Sequence, residues 1–170
     1  MNGVYKIKKA LVIPLVLNAA LVSVLLLFSL FGKGSTVETF FLTLLLVLLV
    51  LVVLECFFRE VTITPEGMVI KKLLRSKTLG WGDITDVGAM VLRKKVYLVL
   101  TTTKGFHIIS NVYDHFTSLV QGVVRHVDAE RIEDQVNALI ENPVRKMADV
   151  ISAWVGVVVL LGVFYVKNVL

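Results

Sequence analysis

The chain has 170 residues, of which 56% are hydrophobic, and its 18 basic and 13 acidic residues give a net charge of +5. Its single cysteine, Cys56, excludes an intrachain disulfide and a zinc site built from several cysteines. The apolar residues are concentrated in three long segments, and this distribution decides the fold class.

Two apolar segments come first in the chain. Residues 10–31 contain no charged side chain, and residues 40–58 contain only Glu55. A third segment, residues 147–166, contains only Asp149. At about 1.5 Å of rise per residue, each is long enough to cross a hydrocarbon layer of about 30 Å. The sequence therefore predicts three transmembrane helices, the first two forming an antiparallel hairpin because a short loop joins them.

Basic residues beside these segments predict the orientation. One set of segment ends is basic, with Lys6, Lys8, Lys9, Arg59, Arg145 and Lys146. The opposite ends have only Lys33 and Lys167. By the positive-inside rule we expect an integral membrane protein with a cytoplasmic N-terminus, a cytoplasmic middle region and an external C-terminus.

The middle region has the pattern of short strands. Six β-type runs are separated by hairpin-length turns: residues 61–64, 68–74, 78–81, 86–92, 96–103 and 106–110. Within the fifth run Val96, Leu98 and Leu100 alternate with Tyr97, Val99 and Thr101, as in a half-buried strand, and both faces are fairly apolar. These runs predict an antiparallel meander.

Two helices are predicted after the meander. Apolar residues from Phe116 to Val127 recur with helical spacing and form one stripe. A second helix is predicted over residues 129–141, before Pro143. The predicted organisation is a transmembrane hairpin (residues 1–58), a cytoplasmic domain (residues 59–146) and a C-terminal transmembrane helix (residues 147–170).

Four residues of the meander, Trp81-Gly82-Asp83-Ile84, match a Trp-x-Asp/Glu-Ile turn. A strand at residues 67–70 precedes them, and a hairpin at residues 97–106 and the amphipathic helix follow. Over residues 60–127 the chain resembles the bacterial pleckstrin-homology-like (PH-like) domains attached to small membrane proteins. The resemblance implies an α+β membrane protein with an antiparallel sheet or barrel closed by a C-terminal amphipathic helix. A complete PH barrel has seven strands, whereas six are predicted here.

The resemblance implies a membrane-anchored binding or scaffolding role, without a common ligand or reaction. We expect Trp81 and Ile84 to be structural and to lock their turn into the core. The first hairpin tip, Pro65-Glu66-Gly67, is not basic, so a conventional phosphoinositide pocket is not predicted.

The meander also contains the candidate binding residues. In an up-and-down order, its basic turns face the membrane and its acidic turns face away. We predict that seven basic residues contact an anionic leaflet: Lys71, Lys72, Arg75, Lys77, Arg93, Lys94 and Lys95. The alternative is an ordinary solvated basic surface. Nucleic acid is not a predicted partner, because no aromatic residues are interleaved with these cations.

The third apolar segment has small residues at helical spacing, Ala148, Ser152 and Gly156. Such a ladder allows close helix packing, against the first or second helix or against another copy of the chain.

No catalytic or cofactor motif is present, so neither an enzyme nor a cofactor is predicted. The predicted function is docking of a protein partner or anionic lipid headgroups at the inner membrane surface. The alternative is a small accessory subunit of a transporter or other membrane complex, in which the helices are the working part.

Overall fold

The computed structural model describes residues 3–32, 34–92, 95–103, 105–141 and 148–169. Its strands are β1 (Gly3–Lys6), β2 (Glu60–Thr64), β3 (Gly67–Lys72), β4 (Arg75–Gly80), β5 (Ile84–Leu92), β6 (Lys95–Thr102) and β7 (Gly105–Ser110). Its helices are α1 (Lys9–Phe31), α2 (Thr36–Phe58), α3 (Phe116–Val124), α4 (Asp134–Glu141) and α5 (Ala148–Val169). Two short 3₁₀ turns are Trp81–Asp83 and Ala129–Arg131.

The chain divides into two compact units. The sheet unit comprises Met1–Lys8 and Phe58–Lys146, and the helix unit comprises Lys9–Phe57 and Met147–Leu170. The sheet unit contains every described strand together with α3 and α4. Residues from both sides of the α1–α2 hairpin therefore build one sheet unit.

The strands form two antiparallel sheets, which confirms the predicted α+β class. The first sheet has the order β1-β2-β3-β4 and the second has the order β5-β6-β7. The alternation predicted for residues 96–103 is confirmed, because every second side chain of β6 is buried. The sequence pattern missed β1, since only four residues form it and a long apolar helix follows almost at once.

Backbone contacts join the two sheets on one side. Ile7 forms an isolated antiparallel bridge with Tyr113. The Asp114 amide donates to the Lys6 carbonyl oxygen at 2.8 Å, and the Lys8 amide donates to the Val112 carbonyl oxygen at 3.0 Å. β4 is the other edge strand of the first sheet, and β7 is an edge strand of the second.

The helix predicted over residues 129–141 is wrong in its first half. The 3₁₀ turn is followed by extended residues, and Ile132 forms a parallel bridge with Val87 of β5. The Glu133 amide donates to the Val87 carbonyl oxygen at 3.0 Å, and the Arg131 guanidinium donates to the Ile84 carbonyl oxygen at 2.9 Å. These contacts satisfy the backbone at the edge of β5, so tertiary pairing overrides the local helical pattern.

The core lies between the two sheets and α3. Its largest fully buried side chains are Ile63, Met68, Ile84, Leu98, Leu100, Ile109 and Leu119. Ile84 is buried as expected, whereas Trp81 is only half-buried. The Trp81 indole N–H donates to the Thr64 carbonyl oxygen at 3.0 Å, and its ring stacks on His126 with centroids 4.6 Å apart. Trp81 therefore holds the end of the sheet by these two contacts.

The helix unit contains α1, α2 and α5, all long and apolar enough to cross a membrane, as predicted. α1 and α5 pack against each other. None of the described side chains of α2 is buried.

The position of β1 predicts how a fragment of the sheet unit behaves. A fragment of residues 59–146 lacks β1 and leaves the edge of β2 unpaired. We expect residues 3–8, joined to it by a flexible linker, to stabilise the fragment by about 2–4 kcal/mol through ladder hydrogen bonds and burial of Ile7. Urea unfolding followed by circular dichroism measures this gain.

The matched control for that fragment is Ile7→Asp in the joined form. This variant keeps the linker and the length but removes a side chain that is 6% exposed. It should lose most of the gain. Equal stability of the joined and unjoined fragments would show that β1 does not contribute to the sheet.

Candidate functional site

The basic residues of β3 and β4 lie at one end of the first sheet. Lys6 pairs with Glu60, and Glu60 pairs with Lys71 across the sheet. Lys72 pairs with Arg75 beside the turn that joins β3 to β4. α1 begins three residues after Lys6, and α2 ends two residues before Glu60. We call this end of the sheets, where the chain continues into the apolar helices, the helix-linked end.

The turn between β5 and β6 belongs to the same end. Lys95 begins β6, and the carbonyl oxygen of the next residue, Val96, accepts a hydrogen bond from the Asn111 amide at 2.9 Å. The Asn111 carbonyl oxygen in turn accepts one from Lys8 Nζ at 2.8 Å, and Lys8 directly precedes α1. Two more predicted contact residues of this turn lie outside the described residues: Arg93 and Lys94.

The acidic turns lie at the opposite end. The turn that contains Glu66 joins β2 to β3, and Gly67 at the start of β3 pairs with Gly80 at the end of β4. Asp83 follows Gly80 in the 3₁₀ turn. The register thus separates these acidic turns from the basic turns along the length of the strands.

The outer face of the first sheet has a balanced charge cluster. Glu60 lies 3.6 Å from Lys6 Nζ and 3.4 Å from Lys71 Nζ. Two lysines therefore share one carboxylate, which offsets part of their charge. All three groups are partly exposed, so each pair contributes little to stability.

The inner face of the same strands is different. Met68 and Leu79 pair and are both buried, which identifies the side of the sheet that faces the core. Because side chains alternate along a strand, the next residues on that side are Ile70 with its partner Lys77, and then Lys72 with its partner Arg75. Three cations therefore occupy core-facing positions near the end of the sheet.

These cations line a cleft at the open corner between β4 and β7. The cleft has a volume of about 170 Å³, and its lining residues are Ile70, Lys72, Arg75, Lys77, Phe106, His107 and Ile108. We call it the β4–β7 cleft. His107 is on the same face of β7 as the buried Ile109, whereas Phe106 and Ile108 are exposed.

The cleft has no acidic counterpart. Among the described residues, Lys72, Arg75 and Lys77 form no ion pair. The residues outside the described ranges include no Asp or Glu side chain. Among the described residues, the cations of the cleft therefore have no carboxylate partner, unlike the lysines that share Glu60.

His107 responds to this positive field. Burial lowers the pKa of its imidazole below the usual 6.5, and the charges of Lys77 and Lys72 lower it further. Between that lowered pKa and 6.5 the folded protein binds fewer protons than the unfolded chain. Acidification through this interval therefore destabilises the folded state through His107.

Sequence reasoning identified the lysines and the arginine of the cleft but not His107, Phe106 or Ile108. The β-type run at residues 106–110 predicted β7, but nothing in the run indicated that this strand lies near β4. The two strands are far apart in the chain and belong to different sheets.

The predicted small residues of α5 have different surroundings. Gly156 lies against Asn18 of α1, because a Cβ on this glycine would lie 3.0 Å from Asn18 Oδ1. Ser152 is exposed, and its hydroxyl donates to the Ala148 carbonyl oxygen of its own helix at 2.9 Å. Ala148 is half-buried.

Asn18 links α1 to α5. Its amide nitrogen donates to the Pro14 carbonyl oxygen at 2.8 Å and to the Ala153 carbonyl oxygen at 2.9 Å. The side chain is 5% exposed, and Asn18 Oδ1 accepts no hydrogen bond from the described residues. A polar bridge of this kind contributes about 1 kcal/mol between helices in a membrane.

The described residues contain no group of three or more His, Cys, Asp or Glu side chains placed to hold a metal ion. The β4–β7 cleft therefore combines basic groups with apolar residues at its rim.

A family model of unknown function, DUF6585, matches residues 4–128. The chain belongs to DUF6585. The match runs from β1 to just beyond α3, so the DUF6585 region includes β1, the α1–α2 hairpin and both sheets. No curated protein and no solved structure matches the chain.

The charges in the cleft predict that the pKa of His107 depends on Lys77. Lys77→Gln should raise the pKa of His107, because it removes a nearby positive charge. NMR titration of the imidazole resonances of the full chain in detergent micelles measures this shift, with His107→Gln as the assignment control.

Lys71→Gln is the matched variant for this titration. It removes the same charge from the outer face, where Glu60 is the partner. It should change the pKa of His107 less than Lys77→Gln does. Equal shifts in the two variants would contradict the separation of charge between the two faces.

The contact between Gly156 and Asn18 predicts a selective effect in α5. Gly156→Val should destabilise the packing of α1 on α5 by about 1–3 kcal/mol, since its side chain meets Asn18. Gly162→Val on the same helix is the control, because a Cβ there meets no atom within 4 Å. Thermal unfolding of the helical signal in detergent compares the two, and equal losses would refute a specific contact at Gly156.

Proposed function

We propose that this DUF6585 protein is a membrane-anchored binding module of the bacterial inner membrane, whose sheet unit docks on anionic lipid headgroups from the cytoplasm. The observation that carries the proposal is the position of the basic turns. Lys72 and Arg75 flank one turn and Lys95 follows the other, both at the helix-linked end. Because α1 begins three residues after Lys6 and α2 ends two residues before Glu60, we expect this end to meet the leaflet that the helices cross.

The basic residues beside the helices support a cytoplasmic location for the sheet unit. Lys6, Lys8 and Lys9 precede or begin α1, and Arg59 follows α2. Positive residues at helix ends are retained in the cytoplasm. The same leaflet is rich in anionic lipid, so orientation and docking depend on the same kind of charge.

The strand arrangement supports a PH-like fold for the sheet unit. Seven strands in two antiparallel sheets are followed by α3, and β1 supplies the strand that the resemblance lacked. Neither sheet closes into a complete barrel. We infer a PH-like unit that is open between β4 and β7 and has a membrane hairpin inserted between β1 and β2.

The energetics favour orientation of the sheet unit by several weak contacts. Each basic residue near an anionic leaflet contributes about 1 kcal/mol, and salt screens it. The turn between β3 and β4 adds Leu74, a side chain that is 90% exposed between basic neighbours. An apolar side chain at such a tip gains free energy by entering the interfacial layer.

A second function is favoured by a separate observation. α2 has 23 residues and none of its described side chains is buried in the chain. In an accessory subunit of a membrane complex, a partner helix or a second copy of the chain would cover α2. That function predicts loss of activity on substitution along α2 and tolerance of substitution in the basic turns.

The docking proposal is tested with the full chain in nanodiscs. On a Cys56→Ser background, a fluorophore is attached at Leu74→Cys or at Glu66→Cys. Quenching by headgroup nitroxide lipid should be strong at position 74 and weak at position 66 in anionic discs. It should weaken when salt rises from about 0.1 M to about 1 M, which shortens the Debye length from about 10 Å to about 3 Å.

The charge control for this experiment compares two double variants, each of which removes two positive charges from a different part of the sheet unit. Lys94→Gln with Lys95→Gln should reduce quenching at position 74. Lys104→Gln with Arg125→Gln should leave it unchanged. Arg125 directly follows α3, and Thr102 and Gly105, which lie on either side of position 104 in the chain, pair at the end of β6 and β7 remote from Lys95. Equal quenching at positions 66 and 74, or equal effects of the two pairs, would rule out docking by the basic turns and favour a protein partner.

A further inference from the structure

Positions on the inner face of a sheet are usually apolar, yet four basic side chains of the β4–β7 cleft occupy such positions. Lys72 lies two residues after the buried Ile70 on β3, and Arg75 and Lys77 precede the buried Leu79 on the same face of β4. His107 precedes the buried Ile109 on β7. The side chains of Lys72, Arg75 and Lys77 are exposed at this end of the sheet, and His107 is half-buried. The strand period forces all four toward one corner. Their position is therefore set by the register of both sheets and not by the flexibility of single side chains.

Like charges collected without a counter-ion repel one another. The neighbouring outer face shows that this chain balances lysines where no ligand is needed, because Glu60 contacts both Lys6 and Lys71. In the cleft no described carboxylate plays that part for Lys72, Arg75 or Lys77. An anion from outside the chain would supply the missing charge.

The types of side chain indicate which anion. An arginine fork and lysine ammonium groups bind phosphate oxygens with charge-assisted hydrogen bonds. A phosphate monoester has a charge of about −1.5 to −2 near neutral pH, which suits several cations better than a singly charged diester. The cleft volume of about 170 Å³ is smaller than the roughly 300–1,000 Å³ of pockets for drug-sized ligands.

The rim indicates what the phosphate is attached to. Phe106 and Ile108 line the cleft and are 73% and 58% exposed. They offer apolar contact to the carbon atoms of an ester, which inorganic phosphate lacks.

We propose that the β4–β7 cleft is a binding site for a phosphate monoester, with Lys72, Arg75, Lys77 and His107 around the phosphate and Phe106 and Ile108 against its organic part. This site shares Lys72 and Arg75 with the turns proposed for surface docking at residues 72–75 and 93–95, whereas Lys77 and His107 line the cleft and lie outside those turns. Lys77 is therefore the residue whose substitution distinguishes the two proposals. His107 gains a proton more readily when the ligand neutralises Lys72 and Lys77. Binding is thus expected to be accompanied by proton uptake.

The test uses the full chain in nanodiscs and follows the His107 resonance. In zwitterionic discs, glycerol 3-phosphate is the soluble monoester probe. In a second arm, discs with phosphatidic acid present a lipid monoester, and discs with phosphatidylglycerol at equal surface charge present a diester. A saturable His107 shift with glycerol 3-phosphate supports a soluble ligand, and a shift only with phosphatidic acid supports a lipid ligand at the same site.

The variants compare the two faces of the first sheet. Lys77→Gln should weaken binding of the effective probe about tenfold or more, since it removes a charge-assisted hydrogen bond. Lys71→Gln removes the same charge from the outer face and should change the affinity much less. Both variants are first checked by circular dichroism, and Lys77→Met replaces Lys77→Gln if the latter unfolds.

Three results would overturn the proposal. One is the absence of a His107 shift with both monoester probes. Another is equal shifts with phosphatidic acid and phosphatidylglycerol, which would indicate surface charge alone. The third is equal weakening by Lys71→Gln and Lys77→Gln. The docking proposal is read from a probe at position 74 and depends on Lys94 and Lys95, so either proposal can fail while the other holds.

Discussion

Antiparallel pairing of β1 with β2 is the constraint on which the rest of the structure depends. The pairing of Lys6 with Glu60 joins two residues that are separated in sequence by the entire α1–α2 hairpin. The hairpin therefore leaves and re-enters the sheet through adjacent strands. This pairing completes a four-stranded sheet, and it brings Ile7 to Tyr113 so that the second sheet is held beside the first.

The same register gives the two faces of the first sheet opposite electrostatic properties. On the outer face, residues at alternate positions bring Glu60 to Lys71 and balance their charges. On the inner face the alternation brings Lys77 and Lys72 beside His107. Burial lowers the pKa of that imidazole, and the charges of the two lysines lower it further. A shift of one residue in the pairing would exchange these faces, so the cleft and the balanced cluster depend on one choice of register.

In the helix unit a polar contact joins two helices. Asn18 donates to carbonyl oxygens of both α1 and α5, and Gly156 leaves the space that this side chain occupies. In hydrocarbon an amide has few alternative partners, so one asparagine can fix which faces of two apolar helices meet. By contrast, no described side chain of α2 is buried, and its exposed apolar surface suits lipid or another membrane segment.

The sequence by itself determined the elements that are long or strictly periodic. Three apolar segments with at most one charged residue each predict membrane helices, because such a helix needs about 20 apolar residues. The alternation at Val96, Leu98 and Leu100 identifies a half-buried strand. Only the tertiary structure decided the role of β1, the extended residues at Ile132, the half-burial of Trp81 and the meeting of Lys77 with His107. Each of these depends on pairing between distant segments, and short-range patterns contain no information about which distant edge a strand will meet.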